Sequence, residues 1–263
     1  MKSELFSDEF KDKVVLLTGG SGQVGRVIVK NYIEAGAAVL NVDISPSDDS
    51  SDLTEDSYRE KRKSYFLRAD ITKRSDVEAA IEKVLSITGK VDILINCAGI
   101  SVFTPFEERT DDEFQSVMDV NVKGTFIATQ AISRYMIKEK VKGVILNFGS
   151  IYGVSAADQR IYGESGRNSP EVYAISKAGV IHFTRYMARY LSPYGIRVNC
   201  LSPGGIFANQ TPDFVNNYVY KTPLNRMGTP EDLIGGIFYL TSSMSGYVTG
   251  QNLIVDGGFT IGD

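Results

Sequence analysis

Residues 14–25 read VVLLTGGSGQVG, and this stretch decides the fold. Val14–Leu17 is an unbroken apolar run, which is typical of a strand covered on both faces. The glycine-rich turn Thr18–Gly25 follows directly, and a helical pattern then continues over 23–35. A buried strand, a tight turn and a helix in succession predict the first unit of a parallel sheet with helices around it.

The same alternation recurs along the rest of the chain. Further strands are predicted at Ala38–Val42, Ile93–Ile95, Val144–Asn147, Ile196–Cys200 and Leu253–Val255. Further helices are predicted at 74–87, 111–138, 171–191 and 230–242. We therefore expect an α/β protein with one doubly wound parallel β-sheet and helices on both faces, in a single domain spanning 1–263. Residues 1–12 form a polar N-terminal extension, and the polar residues 45–63 could be a mobile connection or an exposed helix.

The composition excludes several classes of function. The chain has 263 residues, a formal net charge of -4 and a pI of about 5.2, so nucleic acid is not an expected partner. No apolar run is long enough to span a membrane, and the charged N-terminus lacks the apolar core of a secretory signal. Two cysteines and one histidine cannot alone build a tetrahedral zinc site, and we expect no metal. These features predict a cytoplasmic protein.

The glycine-rich turn and Asp43 together predict a Rossmann-type dinucleotide site. Glycines let backbone N–H groups approach a pyrophosphate at the positive end of the next helix. Asp43 ends the second strand, where a carboxylate can accept both ribose hydroxyls of an adenosine and repel a 2′-phosphate. Gly22 and Ile44 offer no cation for such a phosphate, so we expect NAD rather than NADP. Taken alone, the glycines could serve only the turn, and Asp43 could merely cap it.

Tyr173 and Lys177 provide a candidate acid/base pair. A separation of four residues places the phenol and the ammonium on one face of a helix, a turn apart. A free phenol titrates near pH 10, and a neighbouring cation favours its ionised form, which makes proton transfer feasible near neutrality. Any helix can carry this spacing by chance, so the motif gains its meaning from the residues around it.

With these motifs in order, the sequence resembles the short-chain dehydrogenase/reductase family over nearly its whole length. Thr18–Gly25 resembles the glycine-rich turn of the family, and Asn96–Gly99 resembles its N-x-A-G motif. Asn147–Ser150 resembles the strand end that carries the catalytic serine, and Tyr173–Lys177 matches Y-x-x-x-K. The dipeptide Pro203-Gly204 and the segment Asp256–Gly258 match later landmarks of the family.

The resemblance implies a role for each matching position. Tyr173 would pass a proton to or from the substrate oxygen, and Lys177 would favour its ionised form and hold the nicotinamide ribose. Ser150 would polarise the substrate oxygen, and Asn121 would kink the long central helix and hold a water of the proton relay. The cofactor would contact Tyr173 and Lys177 together with Thr18, Gly19, Ser21, Gln23, Val24, Gly25, Asp43, Asp70, Ile71, Asn96, Ala98, Gly99, Pro203, Gly204 and Ile206.

Three positions depart from the family pattern. Gln23 replaces a usual glycine of the turn. Ser150 precedes Tyr173 by 23 residues, a longer spacing than the family commonly has, which predicts an inserted substrate loop at 154–170. Ala208 stands where a threonine often binds the carboxamide, and Asn209 could substitute for it.

The insertion and a second segment, a substrate lid at 207–228, are rich in polar side chains. Hydrogen-bonding groups and cations suit hydroxyls or a phosphate better than an acyl chain or a steroid, so we expect a small, polar, sugar-like substrate. Four residues are candidate substrate contacts: Tyr152, Arg160, Arg167 and Asn209. For any one of them, solvated loop surface or packing remains an alternative. The segments 149–153 and 202–207 also resemble oxidoreductases of bacterial surface-sugar and nonulosonic-acid pathways, which implies a role in carbohydrate biosynthesis.

The leading hypothesis is an NAD-dependent oxidoreductase acting on a secondary alcohol or ketone. Two alternatives stay open: an NADPH-dependent enzyme like 3-oxoacyl-(acyl-carrier-protein) reductase, and a non-catalytic dinucleotide-binding regulator. The resemblance also implies a homo-oligomer, dimer or tetramer, with the segment Tyr247–Gly258 near a two-fold interface.

Overall fold

The structure of the protein, a computed structural model, describes residues 7–46, 51–52, 54, 64–163 and 168–261. The strands are β1 (Val14–Thr18), β2 (Ala38–Asp43), β3 (Ser51–Asp52), β4 (Ser64–Arg68), β5 (Ile93–Asn96), β6 (Val144–Phe148), β7 (Arg197–Pro203) and β8 (Asn252–Val255). The helices are α1 (Ser7–Phe10), α2 (Gln23–Glu34), α3 (Arg74–Thr88), α4 (Asp111–Met118), α5 (Thr125–Lys138), α6 (Glu171–Leu191), α7 (Pro212–Tyr220) and α8 (Pro230–Thr241). A π-helical turn, Asp119–Gly124, joins α4 to α5.

All strands of the described ranges form one parallel sheet, in the order β3-β4-β2-β1-β5-β6-β7-β8. The order runs outward in both directions from the neighbours β1 and β5, so the predicted doubly wound Rossmann-like sheet is confirmed. Strand β4 was not predicted, because its residues directly follow the polar segment 45–63 and end on an exposed arginine, Arg68. It lies between β2 and the short edge strand β3.

The continuous apolar strands supply two separate cores. Val14 and Leu16 of β1 point to one face of the sheet, where α3, α5 and the end of α6 pack. Val15 and Leu17 point to the other face, which α2 and α8 cover. Alternate residues of one strand thus stabilise opposite layers, which is why no polar face appears in its sequence.

The N-terminal extension contributes to the second core. Phe10 is buried, with its ring centroid 4.9 Å from that of Tyr32 and 4.8 Å from that of Phe238. The Glu9 carboxylate accepts hydrogen bonds from the backbone N–H and the hydroxyl of Ser243. The segment is therefore anchored to α2 and α8 through an aromatic side chain, although its composition is polar.

The segments 154–170 and 207–228, predicted as an insertion and a lid and called by those names below, pack against each other through their described residues. The insertion contains a short 3-10 turn, Gln159–Tyr162, and the lid contains α7. Ile161 of the turn is buried with Tyr218 of α7 and Met227, in a third apolar cluster. The two segments predicted separately thus share a small core of their own.

Candidate active site

A cavity of about 1150 Å³ opens at the carboxyl ends of the strands. It lies around the point where the strand order reverses, between β1 and β5, which is where open parallel sheets bind their ligands. Most of the predicted site residues line it: Gly19, Ser21, Gln23, Val24, Gly25, Asp43, Asp70, Ile71, Ala98, Gly99, Ser150, Tyr152, Tyr173, Lys177, Pro203, Gly204 and Ile206. Seventeen side chains and backbone segments predicted from separate motifs therefore meet at one opening.

The glycine-rich turn is held tightly between β1, β2 and β5. The Gly20 N–H donates to Asn41 Oδ1 over 2.8 Å. A Cβ atom at Gly25 would lie 2.1 Å from the carbonyl oxygen of Gly19, so only glycine allows α2 to start this close to the strand. Helix α2 begins at Gln23 with Gly22 as its N-cap, which provides no side-chain acceptor for the first N–H groups. Those donors suit an anion such as a pyrophosphate.

Gln23, the departure from the family glycine, has a partner in the lid. Its Nε2 donates to the carbonyl oxygen of Phe207 over 2.6 Å. The bond joins the start of α2 to the first residue of the lid, so the substitution connects the nucleotide turn with the substrate side.

The Asp43 carboxylate is fixed by backbone donors where β2 ends. Its Oδ2 accepts from the Ser21 N–H over 3.1 Å. Its Oδ1 accepts from the N–H groups of Ile44 and Ser45, over 2.7 and 3.3 Å. A carboxylate held at the cavity wall in this way can accept ribose hydroxyls with its remaining lone pairs.

Asp70 lies at the other predicted nucleotide contact. Its Oδ1 accepts from both the backbone N–H and the hydroxyl of Thr72, over 2.9 and 2.7 Å. The Thr72 hydroxyl, with a smaller contribution from Lys73, holds the pKa of Asp70 below its usual range. The ionised carboxylate therefore fixes the loop after β4 beside Ile71.

Two predicted cofactor residues are placed beneath the cavity rather than on its lining. Thr18 Oγ1 accepts from the Ala98 N–H over 3.4 Å. Asn96 is buried and donates to Thr129 Oγ1 and Asn147 Oδ1, over 3.0 and 2.9 Å. Both side chains hold strand ends together, and direct contact with a cofactor stays a prediction for them.

Tyr173, Lys177 and Ser150 come together at the opposite end of the cavity. The Lys177 ammonium is buried, donates to the carbonyl oxygen of Phe148 over 2.8 Å, and lies 5.7 Å from the centroid of the Tyr173 ring. Ser150 follows two residues after Phe148, and its Oγ accepts from the Tyr152 N–H over 3.2 Å. The end of β6 thus positions both the serine and the lysine, while α6 carries the tyrosine.

Asn121 lies in the π-helical turn between α4 and α5. Its Oδ1 accepts from the Ile100 N–H over 2.8 Å, and its Nδ2 donates to the Ile100 carbonyl over 3.0 Å and to Ser176 Oγ over 3.0 Å. A Cβ atom at Gly99 would lie 3.3 Å from Asn121 Oδ1 and 3.4 Å from Lys177 Nζ. The asparagine therefore joins the loop after β5 to the helix of the acid/base pair, and a water held by it stays a prediction.

The predicted substrate residues have different positions. Tyr152 lines the cavity. Arg160 is turned toward Asp158, with its Nη2 2.7 Å from Oδ2, and Asn209 has a backbone φ of 58°. Neither of these two side chains is among the described lining residues, where Ala208 and Gln210 stand instead. Arg167 lies outside the described residues.

The sequence reasoning named Tyr152 as a candidate contact but missed the aromatic wall to which it belongs on the substrate side. We use this name for the cavity-lining rings of Tyr152, Tyr162, Phe214 and Tyr218. Tyr162 belongs to the insertion and Phe214 and Tyr218 to α7. Aromatic residues in two segments otherwise rich in polar side chains were the signal that could have found them.

Two features of the described residues bear on the class of protein. Across the described ranges, no helix combines the length and the apolar character needed to cross a bilayer. In the same part of the chain, no group of histidine, cysteine or carboxylate side chains could hold a metal ion.

A doubly wound sheet, a glycine-rich phosphate turn and a serine, tyrosine and lysine in one cavity define a nicotinamide-dependent dehydrogenase or reductase. The family model described as Enoyl-(Acyl carrier protein) reductase matches residues 21–260. A short-chain dehydrogenase from Leptospira borgpetersenii, solved with bound NAD+, is 56% identical with a TM-score of 0.89, and the match covers 97% of this chain and 95% of that one. The chain belongs to the short-chain dehydrogenase/reductase family.

More distant relatives have different substrates in their names. A 3-oxoacyl-(acyl-carrier-protein) reductase of Thermotoga maritima is 35% identical, and the match covers 95% of this chain and 98% of the relative. A gluconate 5-dehydrogenase from Burkholderia cenocepacia, solved with NADP and tartrate, is 28% identical with a TM-score of 0.83. The match covers 98% of this chain and 99% of that one. The similarity shows an oxidoreductase with a nicotinamide dinucleotide cofactor, while the substrate differs among relatives.

Proposed function

We propose that the protein transfers a hydride between NAD(H) and a secondary alcohol or ketone of a polar, sugar-like substrate, with Tyr173 as the acid/base. The observation that carries the proposal is the shared cavity: Asp43 and the glycine-rich turn line one end, and Ser150, Tyr173 and Lys177 line the other. A site of this length suits an extended dinucleotide beside a small substrate.

Tyr173, Ser150 and Lys177 each have a separate role in the proposed reaction. The nicotinamide, when bound, supplies or accepts the hydride. In oxidation, Tyr173 Oη takes the proton of the substrate hydroxyl, and in reduction it returns a proton to the carbonyl oxygen. Ser150 Oγ donates to the same oxygen, and the Lys177 ammonium, fixed on the Phe148 carbonyl, lies 5.7 Å from the centroid of the Tyr173 ring, where it is placed to hold the nicotinamide ribose.

The preference for NAD rests on the electrostatics around Asp43. A second negative charge beside this carboxylate would be repelled, which disfavours a 2′-phosphate. Arg26 is a nearby cation, but its Nε donates to the Ser21 carbonyl over 2.9 Å and its side chain is absent from the described cavity lining. No described lining residue other than Lys177 is basic.

We also propose a metabolic role, an oligomeric state and a cellular location for the enzyme. The sugar-like substrate draws support from the polar side chains of the insertion and the lid, and its place in carbohydrate biosynthesis rests on the resemblance of the segments 149–153 and 202–207 to surface-sugar oxidoreductases. Exposed apolar side chains, including Tyr247 near β8 and Tyr186 and Tyr190 on α6, support a homo-oligomer. We place this assembly in the cytoplasm.

The first test titrates the protein with NADH and, separately, with NADPH. Binding is measured by the change in fluorescence of the reduced nicotinamide. We expect NADH to bind at least ~10-fold more tightly, and Asp43→Asn to reduce that ratio by about 10-fold because the repulsion of the 2′-phosphate is lost. Arg26→Gln is the matched control and should leave NADH affinity within about 2-fold.

The titration, together with a turnover assay, separates the alternatives. Tighter NADPH binding, together with turnover of acetoacetyl thioesters, would favour the acyl-carrier-protein reductase alternative. Tight NADH binding without turnover of any alcohol or ketone in a broad panel would favour a non-catalytic regulator.

A further inference from the structure

The substrate end of the cavity carries little charge. Of the described lining residues only Asp43, Asp70 and Lys177 are charged, and the two carboxylates belong to the nucleotide end. The Lys177 ammonium already donates to the Phe148 carbonyl. Arg109, a buried cation of the neighbouring loop, is absent from this lining, and its Nε lies 3.2 Å from the Glu171 carboxylate.

The aromatic wall runs from the insertion to the loop after β7, where the predicted cofactor contacts Gly204 and Ile206 lie. The Tyr162 ring centroid lies 5.1 Å from that of Phe214, which lies 6.0 Å from that of Tyr218. Tyr218 stacks on Phe259 at 4.4 Å, and its hydroxyl oxygen accepts from the Gly205 N–H over 2.5 Å. The rings therefore form a continuous surface that ends on the backbone between Gly204 and Ile206.

The phenols of this wall are neutral hydrogen-bonding groups. Burial raises the pKa of Tyr152 far above its usual range, with a contribution from a hydrogen bond to Tyr162. Burial raises the pKa of Tyr218 to about 12. Both hydroxyls stay protonated at neutral pH, so they can orient a ligand hydroxyl without competing with Tyr173 for the proton transfer.

An ion pair holds the insertion against α7. Asp158, which precedes the turn of Tyr162, pairs with Lys221 at the end of α7 and with Arg160. The Asn217 side chain also donates to the Ile161 carbonyl, over 3.4 Å. These contacts fix the position of Tyr162 relative to Phe214.

We propose that Tyr162 is a specificity-determining residue that the insertion adds to the site, and that the aromatic wall selects an uncharged, hydroxyl-bearing ring over its carboxylate or phosphate counterparts. The inference rests on the proposed function and narrows its substrate class. An aromatic face packs on the apolar side of such a ring, and the phenols bond its hydroxyls. An anionic group would be desolvated against the described wall without a cation to pair with it, which is strongly unfavourable. Asp158 is a positioning residue for Tyr162.

The experiment compares neutral and anionic probes of similar size on the NADH-loaded protein by saturation-transfer NMR. The pairs are D-glucose with D-glucuronate and myo-inositol with myo-inositol 1-phosphate, and cyclohexanol serves as a ring with a single hydroxyl. We expect each neutral polyol to bind at least ~10-fold more tightly than its anionic partner. Tyr162→Ala should reduce that binding ~10-fold or more, and Tyr162→Phe should reduce it less, because the ring is kept.

Tyr220→Ala is the matched control, since Tyr220 is an almost fully exposed tyrosine on the same lid helix. It should leave probe binding unchanged, and thermal melting checks that each variant folds. For any probe that turns over with NAD+, Asp158→Asn should raise KM with little change in kcat, and Asp158→Glu should restore it in part.

Three results would overturn the inference: tighter binding of the anionic partners, no binding of either neutral polyol, or neutral binding that Tyr162→Ala does not change. An anionic preference that Arg167→Ala removes would assign recognition to that arginine instead. A neutral polyol that binds through Tyr162 but never exchanges hydride with NAD would contradict the proposed function while leaving the inference standing.

Discussion

The two ends of the cavity are built in different ways. At the nucleotide end, backbone groups, glycines and one carboxylate from consecutive βα turns form the wall, as the contacts of Gly20, Gly25 and Asp43 show. At the substrate end, side chains from two segments far apart in the chain, Tyr162 and Phe214, meet through packing and an ion pair. The first end depends on local backbone geometry, and the second depends on tertiary contacts that can change without altering the sheet.

The largest effect is expected at the end opposite to the nucleotide, where Tyr173 is the proposed acid/base. Tyr173→Phe removes the hydroxyl that moves the proton and should lower kcat by about 1000-fold, since general acid/base groups contribute roughly 100- to 10,000-fold. The rate of NADH formation or loss measures it. NADH affinity should stay within about 2-fold, and the exposed Tyr186→Phe on the same helix is the control. Turnover that survives Tyr173→Phe would assign proton transfer to another residue.

A second substitution, Gly25→Ala, should disturb the nucleotide end of the cavity and leave the substrate end unchanged. Gly25→Ala places a Cβ atom 2.1 Å from the Gly19 carbonyl oxygen, so α2 must move away from β1. We expect NADH affinity to fall by about 100-fold, with a lowered melting temperature. Gly235→Ala in α8 is the matched control, because a Cβ atom at Gly235 has no described neighbour within 4 Å. This variant should lower neither the NADH affinity nor the melting temperature. Equal behaviour of the two variants would contradict the close approach at Gly25.

The smallest effect concerns pH and the substrate end. Hydrogen bonds from Arg160 and Lys221 hold the pKa of Asp158 well below its usual range. A depressed pKa stabilises the folded protein fully above the unfolded value of about 3.9, and this contribution is lost as the pH falls through the folded value. The small difference in melting temperature between wild type and Asp158→Asn should therefore be constant from pH 8 to about 5 and narrow below about pH 4. Narrowing near pH 6 would show that the carboxylate is not held in this way.

The difference between the two ends also explains what the sequence could reveal. The strands, the glycine-rich turn and the Tyr173–Lys177 spacing are local patterns, and the sheet that they predict is confirmed. Arg160 looked available for a substrate because the sequence does not show that it pairs with Asp158. The aromatic wall depends on how α7 packs against the insertion, and no local pattern encodes that contact. The buried Phe10 was missed for the same reason, since its partners Tyr32 and Phe238 are distant in the chain.

The π-helical turn Asp119–Gly124 has a consequence for how this protein can vary. A π-helical turn holds one more residue than an α-helical turn, so it is equivalent to a single-residue insertion in a helix. Deleting one residue there would restore a regular α-helical turn and leave α4 and α5 in nearly the same orientation, because the wide turn absorbs the extra residue. Asn121 would then lose its register with Ile100 and Ser176. A homologous chain with a one-residue gap in this turn should therefore keep the fold and lack the asparagine contacts that join the loop after β5 to α6.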